Sequence, residues 1–149
     1  MIAGFYQLAR RPVEAVLPSL VLRALGAGHR LLVRSGDAAL LALLDERLWS
    51  FSRTSFVPHG RADALTPERA ATQPVLLAAG YPPANGADCL VQVGGDVPDD
   101  LAGLKRLLYL FGDADVDVAR AHWRRLKAMT EVQPVFWRER EDGEFQKVA

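Results

Sequence analysis

The sequence predicts an α/β fold: a mainly parallel sheet with helices on both faces. Two observations carry this reading. Short, near-continuous apolar segments recur along the chain, which is the pattern of strands buried on both faces. They alternate with longer segments whose apolar residues fall at helical spacing, which is how a sheet covered by helices is encoded.

The first strand is expected over Ile2 to Leu8, a run of β-branched and aromatic residues, with Arg10-Arg11-Pro12 as the turn that follows. Val13 to Ala27 then places Val13, Val16, Leu17, Leu20, Val21, Ala24 and Leu25 on a helical face, stopped by Gly26-Ala27-Gly28. Pro18 suits a first turn better than an interior, so the start of this helix is open between Val13 and Pro18. His29 to Arg34 is a short strand. Ser35-Gly36-Asp37 caps a helix over Ala38 to Trp49, whose apolar face is Leu40, Leu41, Leu44 and Leu48. From Ser50 to Pro74 no secondary structure is evident, and so long a connection is commonly functional or mobile. Strands follow at Val75 to Ala79 and Asp88 to Val93, separated by a loop of turn-forming residues from Gly80 to Gly86. The remaining expectations are a helical turn over Pro98 to Gly103, a strand over Arg106 to Phe111, a helix over Asp113 to Met129 and a strand over Val132 to Trp137. The charged tail, Arg138 to Ala149, is expected to fray.

The chain has 149 residues, enough for one ordinary domain, and shows no internal repeat or boundary, so a single domain over 1–149 is expected. Eighteen basic residues balance eighteen acidic ones. That argues against a protein whose main task is neutralising phosphates, while leaving room for a local basic patch. Cys89 is the only cysteine, so no internal disulfide forms, in keeping with a reducing cytoplasm; its apolar setting points to a buried, inert thiol. The N-terminus lacks the pattern of a signal peptide. The best apolar run, Val13 to Leu25, is interrupted by Glu14, Pro18 and Arg23, so a soluble protein is expected.

Enzyme signatures are missing. No Gly-rich turn follows the first strand, no P-loop is present, and Gly94-Gly95-Asp96 reads better as a strand-to-helix turn than as a phosphate cradle. There is no Gly-x-Ser-x-Gly elbow. His29, His59 and His122 are far apart and lack metal-ligand spacing; His59, in the irregular segment, reads best as an imidazole bonding the loop backbone. Asp113, Asp115 and Asp117 resemble the start of a calcium loop but lack its Gly and terminal Glu. No metal or cofactor is expected.

The sharpest functional signal is the helix over Asp113 to Met129. Helical winding puts Val118, Ala119, His122, Leu126 and Met129 on the core side and Val116, Arg120, Trp123, Arg124 and Lys127 on an adjoining stripe. Helix geometry alone favours Trp123 in the core with the cations as a solvated face. The other reading is a half-exposed indole flanked by cations, suited to an acidic peptide with an apolar end, or less well to stacked single-stranded bases. Trp49 and Phe56 are equally open, as packing residues or as an exposed interface patch.

Several blocks resemble the chi subunit of bacterial DNA polymerase III holoenzyme. Among them are Leu44-Asp45-Glu46-Arg47-Leu48-Trp49, Ser55-Phe56-Val57-Pro58-His59-Gly60, Pro83-Ala84-Asn85-Gly86-Ala87-Asp88 and Ala119-Arg120-Ala121-His122-Trp123. The resemblance implies a Rossmann-like α/β fold without a nucleotide site and a non-catalytic adaptor of the clamp loader. It implies that the partner is the acidic, phenylalanine-ended C-terminal tail of single-stranded-DNA-binding protein, held at the positions of Arg120, Trp123 and Arg124. One basic position of the family falls on Val116, and Lys127, on the same stripe, is a candidate substitute. Trp49 and Phe56 fall on the surface that faces the psi subunit or an accessory helicase. A monomer before assembly is expected, with no direct binding of nucleic acid and none to membranes. The alternatives from other classes are a nucleotide-dependent α/β enzyme and a direct binder of single-stranded DNA.

Overall fold

The computed structural model describes residues 1–149. Its elements in chain order are β1 (Ile2–Gln7), α1 (Val13–Gly26), β2 (Leu31–Arg34), α2 (Ala38–Ser50), β3 (His59–Arg61), α3 (Pro67–Ala71), β4 (Val75–Ala78), β5 (Cys89–Val93), β6 (Arg106–Phe111), α4 (Val116–Lys127), β7 (Gln133–Glu139) and β8 (Phe145–Lys147). All eight strands join one sheet in the order β3-β4-β2-β5-β6-β1-β7-β8. Every pairing is parallel except β7 with β8.

Side chains alternate across each strand, so each strand feeds two apolar layers. Leu31 and Val33 of β2 face α1 and α2, where Leu17, Val21, Leu44 and Leu48 close one layer. Leu32 faces the other way, into a layer shared with Leu90, Leu107, Tyr109 and, from α4, Ala119 and Leu126. Chain direction explains the split. From β1 to β2 and β2 to β3 the chain steps one way along the sheet; from β6 to β7 it steps the other way. With right-handed crossovers, that reversal puts α4 on the face opposite α1 and α2.

Five sequence expectations are corrected. The helix α1 starts at Val13, with Pro12 as its extended N-cap, so Pro18 is an interior residue and buried. Its missing N–H leaves the Glu14 carbonyl without its usual donor, a cost offset by the packing of Val16, Leu17, Leu20 and Val21 around it. The segment Ser50 to Pro74 is not without structure: β3 forms a parallel edge strand on β4, a 3-10 turn covers Ala62–Ala64, and Thr66 caps α3. These pieces are too short for periodicity to reveal them. Pro98 to Gly103 forms turns and not a helix, and the 3-10 turn Asp113–Asp115 precedes an α4 that begins at Val116.

The fifth correction concerns the tail, which is ordered. The strand β7 extends to Glu139, and β8 pairs back on it, with Glu139 opposite Phe145. Phe145 packs edge-on against Tyr6 at 5.3 Å between centroids, and Tyr6 stacks on Trp137 at 6.3 Å. The decisive contact is polar. Glu139 has a side chain with 0% exposure, and its Oε1 accepts the N–H groups of Ala9, Arg10 and Arg11 at 3.0, 2.7 and 3.1 Å. Its Oε2 accepts from Nε of Arg11 at 2.7 Å. Burial pushes the Glu139 carboxyl upward, but the Arg11 guanidinium and the three backbone donors outweigh it and hold the group at about 2. Its folded value lies below its unfolded one, so the stability it contributes is present above the ordinary carboxylate range and is lost as pH falls from about 4.5 towards 2. Replacing Glu139 by Ala leaves the N–H groups of Ala9, Arg10 and Arg11 without their acceptor and should cost about 2 kcal/mol at neutral pH. Urea unfolding at a series of pH values should show that cost shrinking as the medium is acidified.

Candidate functional site: an aromatic and cationic cleft

The register of the three strands β6, β1 and β7 builds the site. Phe5 lies between Tyr109 and Phe136, and Gln7 lies between Phe111 and Arg138. Residues two apart share a face, so both rows point towards α4. Ala119, His122 and Leu126 anchor the helix on the sheet, and the Val97 N–H donates to Nε2 of His122 at 3.3 Å. The His122 imidazole is pushed below its ordinary pKa, first by burial and then by the nearby Arg125 guanidinium. It serves the packing of α4 and does not line the cleft.

Between α4 and the strand rows lies an open cleft of about 450 Å³. Its floor is aromatic. Phe5 meets Trp123 edge-on at 5.3 Å, Trp123 meets Phe136 at 6.1 Å, and Phe136 meets Phe111 at 6.1 Å. Trp123 is therefore half-buried, with its edges packed on two rings and the rest of it in the cleft lining, and is not the fully buried core residue that helix geometry alone favoured. Val118, expected on the core side, is only partly covered, while Val116 packs against the layer beneath. The helix is rotated slightly so that the indole, and not Val118, meets the sheet.

Val116, Arg120, Trp123, Arg124 and Lys127 all line this one cleft. Arg120 is well exposed, with Asp117 at 3.8 Å as its neighbour, and neither Arg124 nor Lys127 forms an ion pair. Sequence reasoning missed the opposite wall, namely Phe5, Gln7, Phe111, Phe136, Arg138 and Ala149, whose main-chain oxygen accepts the Phe136 N–H at 2.9 Å. Their only local trace is the i, i+2 pairing of Phe5 with Gln7 and Phe136 with Arg138; the register that unites them spans more than a hundred residues. Arg120, Arg124, Lys127 and Arg138 give the lining four cations, and no lining residue carries an acidic side chain. In a chain of zero formal net charge this is a strong local excess.

The other candidates resolve differently. Trp49 and Phe56 lie outside the cleft and are 56% and 66% exposed, their rings 5.5 Å apart. Beneath them His59 is buried, its Nδ1 2.6 Å from the Val57 carbonyl and its Nε2 3.1 Å from the Asp45 carbonyl, with Trp49 packed on the ring at 4.6 Å. That imidazole fastens the 50–58 loop to α2. Cys89 is fully buried, and burial pushes its thiol up to about 12. Gly94 and Gly95 both adopt positive φ in a turn held by Gln92 Nε2 and the Tyr109 hydroxyl, which donate to their carbonyls. A side chain at Gly94 would strike the Asp115 carboxylate. No three side chains of metal-ligating type come together, Asp113, Asp115 and Asp117 included. No helix is long and apolar enough to cross a membrane.

In a doubly wound sheet a phosphate would sit where β1 runs into α1, on successive backbone N–H groups. Here those donors, at Ala9, Arg10 and Arg11, converge on the Glu139 carboxylate. Fold and site thus define a doubly wound α/β protein whose phosphate seat is filled from within and whose carboxyl edge carries an aromatic, cationic cleft.

The family model for the DNA polymerase III chi subunit, HolC, matches residues 2–132, and the chain belongs to that family. It is 33% identical over 91 residues to DNA polymerase III subunit chi of Pseudomonas aeruginosa, a stretch covering 61% of this chain and 61% of that relative.

Proposed function

We propose that this chain is a non-catalytic adaptor of the clamp loader, whose cleft holds the acidic, phenylalanine-ended C-terminal tail of single-stranded-DNA-binding protein. One observation carries the reading: four cations and no acidic side chain surround an aromatic floor in an otherwise charge-balanced protein. The floor takes the apolar end of the peptide, and the cations take its carboxylates. Arg120 and Arg124 supply paired donors and Trp123 the apolar contact. At Val116 the family's basic contact is missing, and Lys127, two helical turns beyond Arg120 on the same wall, takes its place. Such a protein works as a single domain over 1–149, cytoplasmic, without cofactor and monomeric before assembly.

The exposed pair Trp49 and Phe56 supports a second docking surface, for the psi subunit or an accessory helicase. Large aromatic side chains in contact with each other and open to solvent are what interface hot spots are made of.

A labelled acidic peptide ending in Phe should bind with an affinity on the order of micromolar, weakening as salt is added. In fluorescence anisotropy, Arg120→Ala or Trp123→Ala should each cost roughly 1–3 kcal/mol; titrations unchanged for both would move the site elsewhere. Ser at Trp49 and at Phe56 should leave peptide binding intact and the fold within about 1 kcal/mol of wild type. Size-exclusion chromatography should show the same pair of substitutions abolishing co-elution with a psi subunit or helicase.

A further inference from the structure

The cleft has two walls, and the cations on them are not equivalent. On the α4 wall, Arg120 is 71% exposed and shares its charge with Asp117. On the strand wall, Arg138 is fixed at two points. Its Nε donates to Oε1 of Gln7 at 3.3 Å, and its guanidinium carbon lies 5.8 Å from the centre of the Phe136 ring. Both contacts follow from the register that pairs Gln7 with Arg138 and sets Phe136 two residues earlier on the same face. With Nε engaged, the two terminal nitrogens of Arg138 remain as a pair of parallel donors, the geometry that matches both oxygens of one carboxylate. A guanidinium held in place loses less freedom on binding than one swinging in solvent.

From this we infer that Arg138, positioned by Gln7 and Phe136, is the residue that takes the terminal carboxylate of a bound peptide, while Arg120, Arg124 and Lys127 face the acidic side chains upstream. The argument is one of reach. In a peptide ending in an apolar residue, the terminal carboxylate and the last side chain share one Cα. A side chain seated on the floor of Phe5, Trp123 and Phe136 therefore carries its carboxylate towards the cation that lies over that floor, and that cation is Arg138, on the Phe136 ring. The cleft then reads a free chain end, and not merely acidity. The inference rests on the peptide-binding reading above.

The test uses the full chain and one acidic peptide ending in Phe, made as the free acid and as the C-terminal amide. Wild type should bind the acid about fivefold more tightly than the amide, a usual size for a charge-assisted contact at a partly open site. Arg138→Met keeps the apolar stem over Phe136 but loses the fork. It should bind acid and amide equally, both near the wild-type affinity for the amide. If Arg138→Met still prefers the acid as wild type does, or weakens both peptides alike, the carboxylate is held elsewhere and the inference fails. Trp123→Ala separates the two levels: losing both peptides supports the underlying reading. Wild-type affinity for both in that variant, or no binding by wild type itself, overturns that reading and this inference with it.

Discussion

The structure depends on the parallel register of β6, β1 and β7. A shift of one residue in β1 would turn Phe5 and Gln7 to the opposite face and bring Tyr6 into the cleft. Burial on both faces prevents that slip. Ala3 and Phe5 are enclosed in one layer, while Tyr6 is buried in the other, stacked on Trp137. Gly4 is part of the same constraint, because a Cβ there would come within 2.8 Å of the Tyr6 ring. Once this register is set, the two rows that form the strand wall of the cleft follow without further adjustment.

The same strands also shape the start of α1, where a doubly wound fold commonly seats a phosphate. The donors that would meet a phosphate at the start of α1 are taken by Glu139, a residue of the last long strand. One carboxylate thus fastens the C-terminal hairpin and fills the seat. The aromatic cleft lies beneath α4, where the charge distribution is lopsided although the whole chain is neutral. Net charge governs long-range attraction to a polyanion, and a chain that is neutral overall can still gather a local excess of cations.

How much was legible in the sequence follows from the range of the interactions. The α/β class, the central strands and the long helices were readable because apolar periodicity is a local signal. The stripe Arg120, Trp123, Arg124 and Lys127 was readable for the same reason, since one helix carries it. The depth of Trp123 was not, because it depends on Phe5 and Phe136, which reach it through pairings between distant segments. Arg138 was lost for a similar cause: a charged stretch looks like a solvated tail unless the burial of Glu139 against the start of α1 and the aromatic packing of Phe145 are known. The edge strand at His59 escaped notice because three residues carry no period.

The cleft contains one of three tryptophans, and each indole N–H gives its own signal in an NMR spectrum. Titrating the labelled protein with an acidic, Phe-terminated peptide therefore tests the site directly. A shift in the Trp123 signal, with the Trp49 signal unmoved, is the expected result; a shift at Trp49 alone, or none at all three, would contradict it.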